Sequence, residues 1–147
     1  MSTSLIAGVR DFLCSCPLLS DGKLNVDFLG PKPTEYAIER VAGDEVLKRY
    51  SDGGRLKQFV FLFSSREWIG RRVEQHLKLA EFYERFSEWL EEMSRKGTLP
   101  QIGESRVAQS IGAVSGGILY DQTGECAKYQ IRCRLVYFEP GDTETDS

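Results

Sequence analysis

The tightest constraint on this chain is a run of eight residues, Leu56-Lys57-Gln58-Phe59-Val60-Phe61-Leu62-Phe63. In an extended chain, successive side chains point to opposite faces. Phe59, Phe61 and Phe63 therefore share one face, and Val60 and Leu62 share the other. Both faces are apolar, so a strand here needs cover on both sides. One cover is expected from a helix of the same chain. The other must come from a second layer or from a neighbouring copy.

The helix that can supply the first cover follows directly. Leu79, Phe82, Tyr83, Phe86, Trp89, Leu90 and Met93 form one apolar stripe at helical spacing. Glu81–Arg85, Glu91–Arg95 and Glu92–Lys96 are spaced i,i+4 with the acid first, the favourable order. Gly97 and Pro100 give the stop pattern. Ser64 and Glu67 have capping-box spacing, so the helical signal is read from Ser65 to Lys96, with a break near Gly70 or Lys78.

A shorter helix is expected over residues 3–14, where Leu5, Ile6, Val9, Phe12 and Leu13 share a face, Thr3 or Ser4 can cap it, and Pro17 stops it. Leu24–Phe28, Tyr36–Val41 and Val46–Tyr50 read as short strands between turn signals at Asp21-Gly22, Gly30–Pro33 and Asp52–Gly54. After an irregular connection over 98–108, Ser110–Tyr120 reads as one strand, weakened by its glycines. A hairpin loop over Asp121–Glu125 leads to a long return strand. There Ala127, Tyr129, Ile131, Cys133, Leu135 and Tyr137 face one way, while Lys128, Gln130, Arg132 and Arg134 face the other. The order is helix, strands, helix, hairpin. It predicts a single α+β domain over residues 1–138: one antiparallel or mixed sheet, with the N-terminal helix and the long central helix on one face. Residues 139–147, EPGDTETDS, read as an acidic disordered tail.

Chemistry is sparse. His76 is the one histidine in 147 residues, and its polar helical setting favours a solvated side chain over a general base. Neither a nucleophile elbow nor a glycine-rich phosphate loop occurs. Cys14-x-Cys16 lacks the usual zinc spacing, and with Cys126 and Cys133 it reads as free thiols in a reducing compartment. No catalytic, metal or cofactor-binding residue is assigned, and the chain is not expected to be an enzyme. Glu81, Glu84, Glu88, Glu91 and Glu92 suit a solvated helix face better than paired catalytic carboxylates. The net charge is −3 with 28% charged residues, a balance that excludes nucleic acid or an anionic membrane as the main partner. No stretch reaches the about 18 apolar residues of a spanning helix, and the first 20 residues do not read as a secretory leader.

Against that acidic balance, Lys128, Arg132 and Arg134 form a basic row on one strand face, suited to an acidic partner surface. They and the apolar Phe59, Phe61 and Phe63 are the candidate contact residues between subunits or with a partner.

Several segments resemble one family in order along almost the whole chain. They are Ser15-Cys16-Pro17-Leu18-Leu19-Ser20-Asp21-Gly22-Lys23-Leu24-Asn25-Val26-Asp27-Phe28-Leu29-Gly30, Pro33–Glu39, Lys48-Arg49-Tyr50-x-Asp52-Gly53-Gly54 and Gln58–Phe61. Ser65–Glu67, Phe82-Tyr83-Glu84-x-Phe86-x-Glu88-Trp89, Lys96–Pro100 and Ala127–Tyr137 continue the likeness. The family is that of the minor capsid proteins of tailed phages and prophages of Gram-positive bacteria, similar to the lambda-type tail terminator. The resemblance implies a compact α+β subunit of a hexameric ring that caps the tail tube at the head–tail junction. Implied partners are further copies of the chain, the tail-tube protein and a head-completion or connector protein. The implied location is the host cytoplasm during assembly and then the virion. The family supplies a role and no site residues. A competing reading is a monomeric cytosolic binding or adaptor domain with an apolar ligand pocket under Phe82, Phe86 and Trp89.

Overall fold

The computed structural model describes residues 4–19, 23–26, 35–41, 45–68, 73–103, 105–114, 118–123 and 126–141. Its elements are α1 (Leu5–Leu13), a single 3₁₀ turn (Pro17–Leu19), β1 (Lys23–Val26), β2 (Glu35–Arg40), β3 (Glu45–Arg49) and β4 (Arg55–Trp68). Then come α2 (Val73–Lys96), β5 (Val107–Ala113), β6 (Ile118–Thr123) and β7 (Cys126–Glu139). The class is α+β, one seven-stranded sheet with two helices.

Two strands of 14 residues organise the sheet. β4 and β7 pair antiparallel along their full length, from Arg55↔Glu139 to Trp68↔Cys126. Each is flanked by a lane built from two shorter strands. β2 pairs Phe61–Arg66 of β4 and β3 pairs Arg55–Gln58, so both lie along one edge. β5 pairs Cys133–Phe138 of β7 and β6 pairs Cys126–Gln130, along the opposite edge. β1 adds to β2 in parallel, which makes the sheet mixed.

This arrangement corrects four expectations. Ser64-Ser65-Arg66-Glu67 does not start a helix but continues β4, and Ser64 and Ser65 are fully buried. The capping-box spacing is a local signal, and it loses to a partner strand whose alternation runs past residue 130. Ser110–Tyr120 is not one strand but β5 and β6 on one lane, with residues 115–117 outside the description. Asp121–Thr123 belong to β6 rather than to a five-residue loop. Glu139 ends β7 opposite Arg55, so the sheet extends one residue into the expected tail; residues 142–147 lie outside the description. The turn at Gly30–Pro33 and the pair Arg71-Arg72 lie outside it as well.

Both helix ends follow from sequence. Ser4 caps α1, its Oγ accepting from the Ala7 amide at 3.2 Å. Gly97 takes φ +79 at the end of α2, where Thr98 N donates to the Met93 carbonyl at 2.9 Å. That left-handed residue and its 6→1 bond close α2 in a Schellman turn. Gly8 matters for a different reason: a Cβ there would lie 2.3 Å from the Gln101 carbonyl oxygen, so only glycine lets α1 sit against the segment after α2.

The core lies between the helices and one sheet face. Phe59, Phe61 and Phe63 of β4 join Ile131, Cys133, Leu135 and Tyr137 of β7 there, all buried. Phe63 is its centre: its ring stacks 4.4 Å from Phe86 of α2 and 5.6 Å from Tyr36 of β2. Trp89 reaches Phe12 of α1 at 5.1 Å, so the two helices share the same apolar layer. Beside them the Ser65 and Tyr83 hydroxyls hydrogen-bond at 2.6 Å, which satisfies both buried groups.

Candidate interaction surface

The alternation that places Phe59, Phe61 and Phe63 under the helices puts Val60 and Leu62 on the other face. The candidate contact role of the three phenylalanines is thereby corrected. They are 5%, 0% and 0% exposed and are covered by their own chain. Phe86 packs directly on Phe63, so this face has no need of a neighbour.

On the opposite face the register brings Val60 beside Arg134, Leu62 beside Arg132, Gln58 beside Val136 and Leu56 beside Phe138. Leu56, Val60, Leu62, Val136 and Phe138 are half-buried, whereas Arg132 and Arg134 are exposed. An apolar strip thus runs along the middle of the sheet, with two guanidinium side chains along one border.

One polar group closes an end of this strip and a second polar chain crosses it. At one end, Lys128 Nζ lies 3.3 Å from Glu39 Oε1, and Ser64 Oγ donates to the same oxygen at 3.0 Å. That arrangement explains how Ser64 is buried on a face over which no described helix lies. Between Leu56 and Val60, Arg134 Nη1 donates to Gln58 Oε1 at 3.3 Å, and Gln58 Nε2 donates to Glu45 Oε2. Lys128, expected as part of an exposed basic row, is instead only 18% exposed and is ion-paired. Burial of its stem along the sheet with the charge held by Glu39 makes it a structural residue. The basic part of the surface is Arg132 and Arg134.

Sequence reasoning missed Glu39, Glu45, Gln58 and Ser64 as members of this face. The signal for the last two was available in the alternation of β4, since residues 56, 58, 60, 62 and 64 continue one parity. For Glu39 and Glu45 it was not, because their place depends on which strands pair.

The remaining candidate residues scatter. Glu81, Glu84, Glu88, Glu91 and Glu92 are exposed on α2. Glu81–Arg85 and Glu92–Lys96 pair at 3.6 and 3.0 Å, while Glu91 and Arg95 do not come within ion-pair distance. The hydrogen bond and charge of Lys96 hold the Glu92 carboxyl below its ordinary value. His76 lies on α2, and its side chain is outside the description. Phe86 is fully buried, and Trp89 lies against Phe12; Phe82 lines a surface hollow of about 330 Å³ with Leu18, Glu81 and Arg85. Cys14 is exposed, and Cys16 and Cys133 are buried. Burial raises the thiol pKa of Cys16 and, more strongly, that of Cys133. Among the described residues no three His, Cys, Asp or Glu side chains converge, and no helix is long and apolar enough to cross a membrane.

No protein-family model matches the chain, and no curated protein is similar to it.

Proposed function

We propose that this chain is a phage virion structural protein, a minor capsid or tail-terminator subunit that forms a ring on the end of the tail tube at the head–tail junction. The single observation that carries the reading is the sheet face that no described helix covers. Half-exposed Val60, Leu62, Val136 and Phe138 form an apolar middle beside the exposed guanidinium groups of Arg132 and Arg134. An apolar centre with a polar border is the anatomy of a protein contact surface. The basic border on an acidic chain selects an acidic partner and steers its approach. The family resemblance of the sequence supplies the partner, the tail-tube protein. The mechanism is geometric: a ring seated on the growing end occupies the surface that the next tube ring needs.

The test is tube growth. Purified tail-tube protein is polymerised with and without the chain, and tube lengths are measured by electron microscopy. The expected result is short tubes carrying an extra density on one end, with Arg132→Glu/Arg134→Glu losing the effect. Tube lengths unchanged by an excess of the folded chain would overturn the role.

A further inference from the structure

We infer that β3 of one copy meets β5 of the next, so that the ring closes through the two lateral edges of the sheet. This inference rests on the ring reading above and names the contact that builds it.

Among the described residues, four large apolar side chains are exposed: Leu47 at 42%, Tyr50 at 38%, Val107 at 53% and Val114 at 54%. All four lie on β3 or β5 or immediately after them. The two strands stand at the same end of the sheet on opposite sides. β3 pairs Arg55–Gln58 of β4, those residues pair Val136–Glu139 of β7, and β5 begins opposite Phe138. These four exposed side chains are therefore divided between two separate edges, one on each side of the sheet.

The edges are also poorly guarded. Exposed edge strands normally carry charges or proline that block pairing. From Val107 to Val114, β5 and the residue after it have neither. β3 does hold charges, of which Arg49 stays exposed while the other two are drawn back onto the chain. Glu45 bonds Gln58, and Lys48 Nζ lies 5.3 Å from the centre of the Tyr50 ring. Leu47 is the residue skipped at the bulge between Val46 and Lys48. On β5, Ser94 Oγ accepts the Ile111 amide at 3.2 Å, so the chain's own helix holds the middle of that edge. The two ends, where Val107 and Val114 stand, are left to a neighbour.

Strand direction fits a second copy. The lanes β3, β4, β7 and β5 alternate in direction, and their number is even. A copy related by rotation about an axis along the strands presents its β3 antiparallel to β5 of the first. Since the two edges differ, the contact is heterologous, the type that generates rings when the rotation closes.

The test compares wild type, Leu47→Lys, Val107→Lys and an equimolar mixture of the two variants by sedimentation velocity and native mass spectrometry, with and without tube protein. Both side chains are exposed, so melting temperatures should stay within a few degrees of wild type; Tyr50→Lys replaces Leu47→Lys, and Val114→Lys replaces Val107→Lys, where one does not. Wild type should assemble beyond the dimer. Each variant alone should stay monomeric at concentrations tenfold higher. The mixture should stop at a heterodimer, because one partner keeps an intact β5 and the other an intact β3. Either variant assembling like wild type, or dimerising by itself, would overturn the edge contact. So would a wild type that is monomeric both alone and on tubes. Edge variants that still cap tubes sink this contact and leave the role standing. A wild type that assembles through its edges but never caps a tube sinks the role and leaves the contact.

Discussion

Strand β4 presents two apolar faces with opposite environments. Phe59, Phe61 and Phe63 are sealed under α1 and α2, and Ser65 next on the same face finds the Tyr83 hydroxyl. One residue out of phase, Val60 and Leu62 lie half-exposed on a face that no helix of the described chain covers. Both faces read alike in sequence, since hydrophobic alternation reports what needs burial and not what provides it. The difference is that three aromatic rings on one side match the Phe82–Phe86–Trp89 stripe, while the branched aliphatic residues on the other are framed by Arg132, Arg134 and Glu39. One face is sealed within the chain, and the other is the face we propose for contact.

That division can be broken experimentally, and the largest effect lies on the sealed face. Phe63→Ala should lower the free energy of unfolding by about 3–5 kcal/mol in urea titrations, because it opens a cavity against Phe86 and Tyr36. Leu62→Ala should cost within about 1 kcal/mol, as its side chain is already partly in water. Equal losses at the two positions would refute the division.

Ser65→Ala and Tyr83→Phe should each cost about 1–3 kcal/mol, since each removes one side of a buried hydrogen bond. The double variant should cost less than the sum of the two, because the second substitution removes a group whose bond to the first is already lost. A strictly additive cycle would mean that the bond at 2.6 Å contributes nothing.

The buried thiols give the sealed face a pH signature. Burial raises the folded-state pKa of Cys133 and Cys16, so the folded protein keeps protons that the unfolded chain releases. This contribution is complete below about pH 8.5, the ordinary thiol value, and is lost progressively as the pH climbs above it. Stability measured between neutral and strongly alkaline pH should fall, and Cys133→Val should flatten that fall. An unchanged slope in the variant would remove Cys133 from the account.

The smallest effect on the fold is expected where contact should be most affected. Arg134→Glu should change stability by less than about 0.5 kcal/mol, since the side chain is exposed and its bond to Gln58 is long. Its effect should show only in partner binding, read by co-sedimentation with tube protein.

How much of this was legible in the sequence varies by element, for physical reasons. The inward face of β7 was readable because Tyr129, Ile131, Cys133, Leu135 and Tyr137 alternate without a break, and all five are buried. The stripe of α2 and its end at Gly97 were readable for the same reason, being periodic signals with a chemical stop. The extension of β4 through Ser64 and Ser65 was hidden because two serines near a glutamate satisfy a helix start locally. Only the length of β7 argues against it, and length acts at long range. The parallel pairing of β1 with β2 was unreadable from four residues, since direction is set by the path between them. Of the candidate surface, Arg132 and Arg134 were visible as outward residues of β7. Lys128 looked identical to them, and only the pairing of β2 with β4 brings Glu39 within 3.3 Å of it.

The most direct measurement is hydroxyl-radical footprinting of the chain, read by mass spectrometry, free and bound to tube protein. The account predicts that Val60, Leu62, Val136 and Phe138 lose reactivity on binding, while Phe61, Phe63 and Leu135, already sealed, do not change. Binding that leaves the first four as reactive as in the free chain would contradict it.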